Sequence, residues 1–205
     1  MIEAGIRLSV GVSGAGKTFG VRREVCEAAR AGVPVIVIDR MHEWERGDAG
    51  AFDVATAARY VEEGARLVIV RPRDAVQAAE DACRWARDRR ELAGVALPEA
   101  HRIAPNGSRL SDALEDCATA WRHFKVALWC DTQRISLLSR TITEQARTLR
   151  LYAIVGDLDS RAVAELGGRE LADQVQEAAR RLAAGEPGWH VELGLVRVPP
   201  YELRR

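Results

Sequence analysis

The densest chemistry in the chain lies near its start, in Gly11-Val12-Ser13-Gly14-Ala15-Gly16-Lys17-Thr18. The spacing fits G-x-x-x-x-G-K-[ST], a glycine-rich loop that wraps a phosphate. Gly11, Gly14 and Gly16 let the backbone bend until successive N–H groups point inward, and the cradle runs through Ser13, Ala15, Lys17, Thr18 and Phe19. A helix starting near Lys17 adds the positive end of its dipole. Lys17 would reach the β- and γ-phosphates, and the Thr18 hydroxyl would hold Mg²⁺. A glycine-rich turn could match this pattern by chance. The context argues otherwise, because Ile6, Leu8 and Val10 read as a strand before the loop and residues 19–31 as a helix after it. Among 30 Lys+Arg, only Lys17 and Lys125 are lysines, so a compact ammonium stands where phosphate would be touched.

Phosphoryl transfer needs further parts: a carboxylate near the metal, a residue that activates water, and cations for the developing charge. Glu99, just past the apolar run 93–97, is the candidate for the first two tasks; alone it would read as a solvated loop residue. Gln133, beyond the run 126–130, offers an amide that can bond both a γ-phosphate oxygen and the lytic water. Arg134, Arg140, Arg147, Arg150 and Arg161 follow in one arc; most read as surface charge, and one or two could serve a neighbouring subunit.

The elements that must hold these groups alternate. Residues 35–38 and 67–70 are continuous apolar runs suited to strands covered on both faces, and 93–97, 126–130 and 151–155 read as further strands. Helices are expected over 55–63, 75–92, 111–123, 142–148, 160–166 and 170–183, with Gly167-Gly168 between the last two. Residues 39–52 read as a loop, and 189–198 alternate as a terminal hairpin stopped by Pro199-Pro200. The pattern predicts an α/β fold: a mostly parallel sheet of the P-loop NTPase (RecA/ASCE-like) kind, with helices on both faces and a C-terminal hairpin.

At 205 residues the chain is expected to form one domain, 1–205. Lys+Arg and Asp+Glu both number 30, so net charge gives no global signal for nucleic acid or membrane; DNA contact would come from local arginines. No run approaches the roughly 18 apolar residues of a membrane span, and the first ten residues lack a signal-peptide pattern. Cys26, Cys83, Cys117 and Cys130 form no C-x-x-C pair and read as reduced thiols in a cytoplasmic setting, of a cell or an infected host.

Four stretches in order carry a family resemblance: the glycine-rich loop, then Ile38-Asp39-Arg40-Met41-His42-Glu43-Trp44, then Pro98-Glu99-Ala100-His101-Arg102-Ile103-Ala104-Pro105, then Asp131-Thr132-Gln133-Arg134. Together they resemble the HerA/FtsK superfamily of DNA-pumping ATPases. Asp39, Glu43 and Trp44 match its Asp…Glu-aromatic signature; Glu99-Ala100-His101 matches the end of its D-E-A-H; Thr132, Gln133 and Arg134 match its T-Q-R; Leu158-Asp159-Ser160-Arg161 and Leu166-Gly167-Gly168 resemble its closing stretch. The likeness covers about 6–198. In one respect the chain departs: Pro98 stands where the family has an Asp that helps hold Mg²⁺.

The resemblance implies ATP and Mg²⁺ as cofactors, with Lys17, Glu99 and Gln133 catalytic and Thr18 and Glu99 at the metal. It also implies assembly into a ring of identical subunits, expected as a hexamer, with a finger arginine supplied in trans; Arg150 holds the matching place and Arg147 is the nearby alternative. The minimal core resembles the genome-packaging ATPases of tail-less internal-membrane viruses. The expected partners are double-stranded DNA and capsid or vertex proteins, and the expected location is host cytoplasm or virion. The alternatives are a cellular or plasmid translocase served by partner proteins, and a nucleotide-dependent assembly switch that does not pump DNA. The DNA-contacting loops are expected at 40–46 and 102–109.

Overall fold

The computed structural model describes residues 2–45, 47–194 and 201–205. In chain order the elements are β1 (Gly5–Val10), α1 (Lys17–Arg30), β2 (Val35–Ile38), β3 (Ala49–Ala51), α2 (Val54–Glu62), β4 (Leu67–Val70), α3 (Ala75–Arg87), β5 (Ala93–Leu97), α4 (Asp112–Thr119), α5 (Trp121–Phe124), β6 (Val126–Thr132), α6 (Arg140–Glu144), β7 (Ala146–Leu151), α7 (Asp157–Ala183), β8 (His190–Leu193) and β9 (Leu203–Arg204). The strands form one sheet in the order β3-β4-β2-β5-β6-β1-β7-β8-β9. Pairing is parallel from β3 through β7, and β8 and β9 close the edge as an antiparallel hairpin. This is the predicted α/β sheet with its C-terminal hairpin.

Alternation along the strands divides the core. Val35, Val37, Leu67, Ile69, Ala96, Ala127 and Trp129 pack against Val21, Val25 and Ala28 of α1. Their neighbours Ile36, Ile38, Val68, Val70, Val95, Leu97, Leu128 and Cys130 face the other way, into a larger cluster built with α2, α3 and α4. Helices therefore cover both faces. Phe19 falls outside the α1 stripe and is 73% exposed, so the apolar face of that helix begins at Gly20 and Val21.

Several boundaries differ from expectation. The segment 39–52 contains the edge strand β3, whose Ala-Gly-Ala sequence carries no alternation. The helix expected over 75–92 stops at Arg87, and the one over 111–123 breaks at Ala120 into α4 and α5. β6 runs two residues further than Cys130, to Thr132. The largest correction lies at 142–155. The helix is Arg140–Glu144, and the strand is Ala146–Leu151 rather than 151–155. The apolar run after Leu151 instead supports the glycine-rich loop: Tyr152 and Ala153 pack with Ala15, the Tyr152 N–H donates to the Val10 carbonyl at 2.8 Å, and the Val12 N–H donates to Ala153 at 2.9 Å. α7 breaks at Gly167 and Gly168, which separates the two predicted helices. The terminal hairpin expected within 189–198 instead pairs β8 with β9, which lies beyond Pro199-Pro200; residues 195–200 lie outside the described residues. All four cysteines are free. Among the described residues no helix is long and apolar enough to cross a membrane.

Candidate active site

The glycine-rich loop leaves β1 between two anchors. The Gly11 N–H donates to the Thr132 carbonyl at 3.0 Å on one side, and Val12 holds Ala153 on the other. A side chain at Gly11 would place its Cβ 2.6 Å from the Tyr152 Cβ, so this position admits glycine alone. Gly16 enters α1 in the left-handed region at φ 96°, where glycine is free of the Cβ penalty. No side chain caps the helix and none of its first-turn residues is acidic. The free N–H groups and helix dipole thus remain available to an anion. Gly188 closes the loop from outside, donating its N–H to the Ala15 carbonyl at 3.0 Å. Ser13 and Gly14 are exposed at the lip, and Thr18 is half-buried in the first helical turn.

Lys17 is buried and donates to Glu99 Oε1 at 3.3 Å. Gln133 Nε2 donates to the same oxygen at 3.2 Å. Three residues predicted from distant parts of the chain therefore meet at one atom. They meet because β1, β6 and β5 are consecutive strands whose carboxyl ends all open on one side, the usual ligand side of a parallel sheet. Glu99 sits in the left-handed region at φ 51° and ψ 47°, uncommon for a residue with a side chain. Strain of this kind concentrates at functional sites. The turn is held by Asp131, whose Oδ1 accepts the Glu99 N–H at 3.0 Å. Burial pushes the Asp131 carboxyl up to about 6, against the pull of Lys17 and the Glu99 N–H. His101 Nδ1 lies 2.9 Å from Thr132 Oγ1 and 3.5 Å from Glu99 Oε2, and burial lowers its pKa. Glu99 Oε2 and Asp131 Oδ2 are buried without a hydrogen bond.

Other predicted residues take up positions around this centre. Asp39 is fully buried and accepts the N–H groups of Glu43 at 2.9 Å and Trp44 at 3.0 Å, while the Trp44 ring enters the core beside α1. That signature shapes the loop after β2, and the Glu43 charge is near enough to Asp131 to push its carboxyl up. Arg134 Nε donates to Asp159 at 3.0 Å, and the other Asp159 oxygen accepts the Ser136 N–H, so the T-Q-R and Leu158-Asp159-Ser160-Arg161 stretches lock together. Phe19 stands exposed next to Thr18. Arg150 pairs with Glu24 and donates to Glu192 at 2.6 Å; it lies opposite Ser9, near the start of the loop. Arg147 pairs with Glu3 and bonds the Ala4 carbonyl at 3.2 Å. It sits toward the other end of β1, about 10 Å down the strand from Arg150. Within one chain neither arginine joins Glu99. Sequence reasoning assigned no site role to Asp131 or His101. His101 was visible in the His of the D-E-A-H-like stretch, and Asp131 as the acid that ends an apolar strand.

No protein-family model matches the sequence, and no curated protein matches it. Solved structures match by fold. The genome packaging NTPase B204 from Sulfolobus turreted icosahedral virus 2, in complex with sulfate, aligns with a TM-score of 0.82 at 15% identity, covering 100% of this chain and 98% of that one. The same NTPase in complex with AMPPCP aligns at 0.74 and 16% identity, covering 100% and 99%. The conjugation coupling protein TcpA of pCW3, with ATPγS, aligns at 0.58 and 13% identity over 94% of this chain and 58% of that one. Fold and site together define a P-loop NTPase architecture. It is the fold that this chain shares with the genome packaging NTPase B204.

Proposed function

We propose that this chain is a ring-forming ATPase that drives double-stranded DNA, and that its task is to move a viral genome into a preformed capsid. The observation that carries this reading is the convergence of Lys17 and Gln133 on Glu99 beneath an open glycine-rich loop. The whole-length likeness of fold to a genome packaging NTPase supports the choice of task. The chain would act as one domain in the host cytoplasm or virion, within a ring expected to be a hexamer, against a capsid or vertex protein.

In this reading the N–H groups from Ser13 to Thr18 and the Lys17 ammonium bind the β- and γ-phosphates. Phe19, exposed at the rim, offers its ring to the base. Glu99 accepts a proton from the attacking water, and Gln133 holds that water against the γ-phosphate. Among the described residues no group of three or more His, Cys, Asp or Glu could hold a metal by itself. The donors near the loop are hard oxygens, the Thr18 hydroxyl and the Glu99 carboxylate, whose Oε2 is buried without a hydrogen bond and has His101 Nδ1 at 3.5 Å. These suit Mg²⁺ arriving with phosphate ligands. When bound, Mg²⁺ would be held by Thr18 and Glu99 and would supply positive charge against the charge developing on the phosphates.

The likeness to a conjugation coupling protein favours one second reading, a plasmid or cellular translocase that works with partner proteins. Both readings require translocation. The test is displacement of a third strand from linear duplex DNA by the purified protein. ATP-dependent displacement is expected from the wild-type chain and not from Glu99→Gln. No displacement, with ATP binding intact, would leave a nucleotide-dependent assembly switch.

A further inference from the structure

Pro98 removes a carboxylate from the place where the family resemblance puts one, and proline also lacks an N–H. The neighbouring strand supplies an acid at the same level. Leu97 pairs with Cys130 in the parallel β5–β6 ladder, so extending that register by one residue sets position 98 beside Asp131. Alternation puts the two on the same face. Ala96 and Trp129, two residues before each, both pack against α1, the helix that begins at Lys17.

Asp131 is 1% exposed. Its Oδ1 accepts the Glu99 N–H at 3.0 Å, and its Oδ2 is buried without a hydrogen-bond partner, as is Glu99 Oε2. The Asp131 carboxylate, which meets Glu99 through its backbone N–H, therefore keeps an unused oxygen, while Lys17 holds Glu99 Oε1 and His101 Nδ1 lies 3.5 Å from Glu99 Oε2. Buried polar atoms are rarely left this way unless a ligand completes them. Carboxylate oxygens beside a phosphate cradle fit a hard divalent cation.

We infer that Asp131 supplies the second carboxylate of the Mg²⁺–nucleotide site, one strand over from the position that Pro98 occupies. The inference rests on the reading of the glycine-rich loop as a nucleotide site. A purely structural Asp131 would only accept the Glu99 N–H, and asparagine could do the same through its carbonyl. The charge is what separates the two roles.

The test is calorimetric affinity for AMPPCP, with Mg²⁺ and with EDTA, in the wild-type chain, Asp131→Asn, and Asp131→Asn combined with Pro98→Asp. Asp131→Asn is expected to cut the Mg²⁺-dependent gain in affinity about tenfold or more, with affinity in EDTA nearly unchanged. Pro98→Asp should return most of that gain, because it restores an acid at the same level of the sheet. An unchanged Mg²⁺ gain in Asp131→Asn, or no return in the double variant, overturns the inference and leaves the phosphate loop standing. Failure of the wild-type chain to bind AMPPCP under either condition would instead remove the loop assignment. Should Asp131→Asn not fold, Pro98→Asp alone decides. With Asp131 already in place the added acid should raise the Mg²⁺ gain less than about threefold, and a tenfold rise would contradict the inference.

Discussion

Lys17 Nζ rests 3.3 Å from Glu99 Oε1, joining residues 82 apart in the chain. The cation of the phosphate loop is thus neutralised by the residue assigned as base, and Gln133 holds the same oxygen. In the proposed reading, incoming phosphate would draw Lys17 away and release Glu99 toward water. Glu99→Gln should therefore keep ATP affinity, or tighten it a few-fold by freeing Lys17, while hydrolysis falls about 10²- to 10⁴-fold. Lys17→Ala should lose both binding and hydrolysis, because phosphate charge is left uncompensated. Equilibrium binding and single-turnover hydrolysis on the two variants check this. Normal turnover in Glu99→Gln would make Glu99 a loop residue.

His190 stacks on Tyr152, which supports the glycine-rich loop, with ring centroids 4.8 Å apart, and its Nδ1 lies 3.0 Å from the Gly188 carbonyl. Burial lowers its pKa below the usual histidine value, although the Gly188 carbonyl opposes this. The folded chain therefore takes up the proton at lower pH than the unfolded chain. The contribution to stability is present above the unfolded value near 6.5 and is lost as pH falls through the lowered folded value. Between pH ~7.5 and ~5.5 the melting temperature should fall more in the wild-type chain than in His190→Phe, which keeps a ring on Tyr152. Equal falls would show that His190 does not titrate on unfolding.

Arg150 is tied to Glu24 of α1 and Glu192 of β8 within its own chain. To act as a finger it must exchange these carboxylates for a neighbour's phosphate. Mixing Arg150→Ala with Lys17→Ala subunits tests that exchange, since each variant lacks a different half of a shared site. Recovered ATPase activity is expected. No recovery in demonstrated mixed rings would move the role to Arg147, or to Arg161, which is exposed on α7.

DNA contact should be electrostatic, because formal net charge is zero and any attraction must be local. The loops after β2 and β5 leave the same end of neighbouring strands, and Arg40 and Arg102 are exposed on them. The Arg46 end of the first loop lies outside the described residues. Binding to duplex DNA should weaken steeply with salt and show little sequence preference, and Arg40→Ala or Arg102→Ala should each reduce the log–log salt slope by about 1. A slope unchanged in both variants would place the contact elsewhere.

Strands covered on both faces were the most legible part of the chain, since 35–38 and 67–70 are unbroken apolar runs with the bounds found in the structure, while 93–97, with Gly94, gave a weaker pattern and the same bounds. β7 was hidden by its arginines. Arg147 and Arg150 read as cations for a neighbouring subunit, and the carboxylates that neutralise them here, Glu3, Glu24 and Glu192, come from three other segments. In the site, Lys17, Glu99 and Gln133 could be read because each follows a clear strand. Asp131 was visible only as an acid ending an apolar strand; its place beside Glu99 depends on the register of β6 against β5, which no local pattern encodes.

The account stands or falls on coupling between the nucleotide site and DNA. ATP hydrolysis by purified protein, with Mg²⁺, should be measured with and without double-stranded DNA. The account predicts activity that rises several-fold with duplex DNA of any sequence and disappears in Glu99→Gln, while that variant still binds ATP. Hydrolysis indifferent to DNA, or persisting in Glu99→Gln, would contradict it.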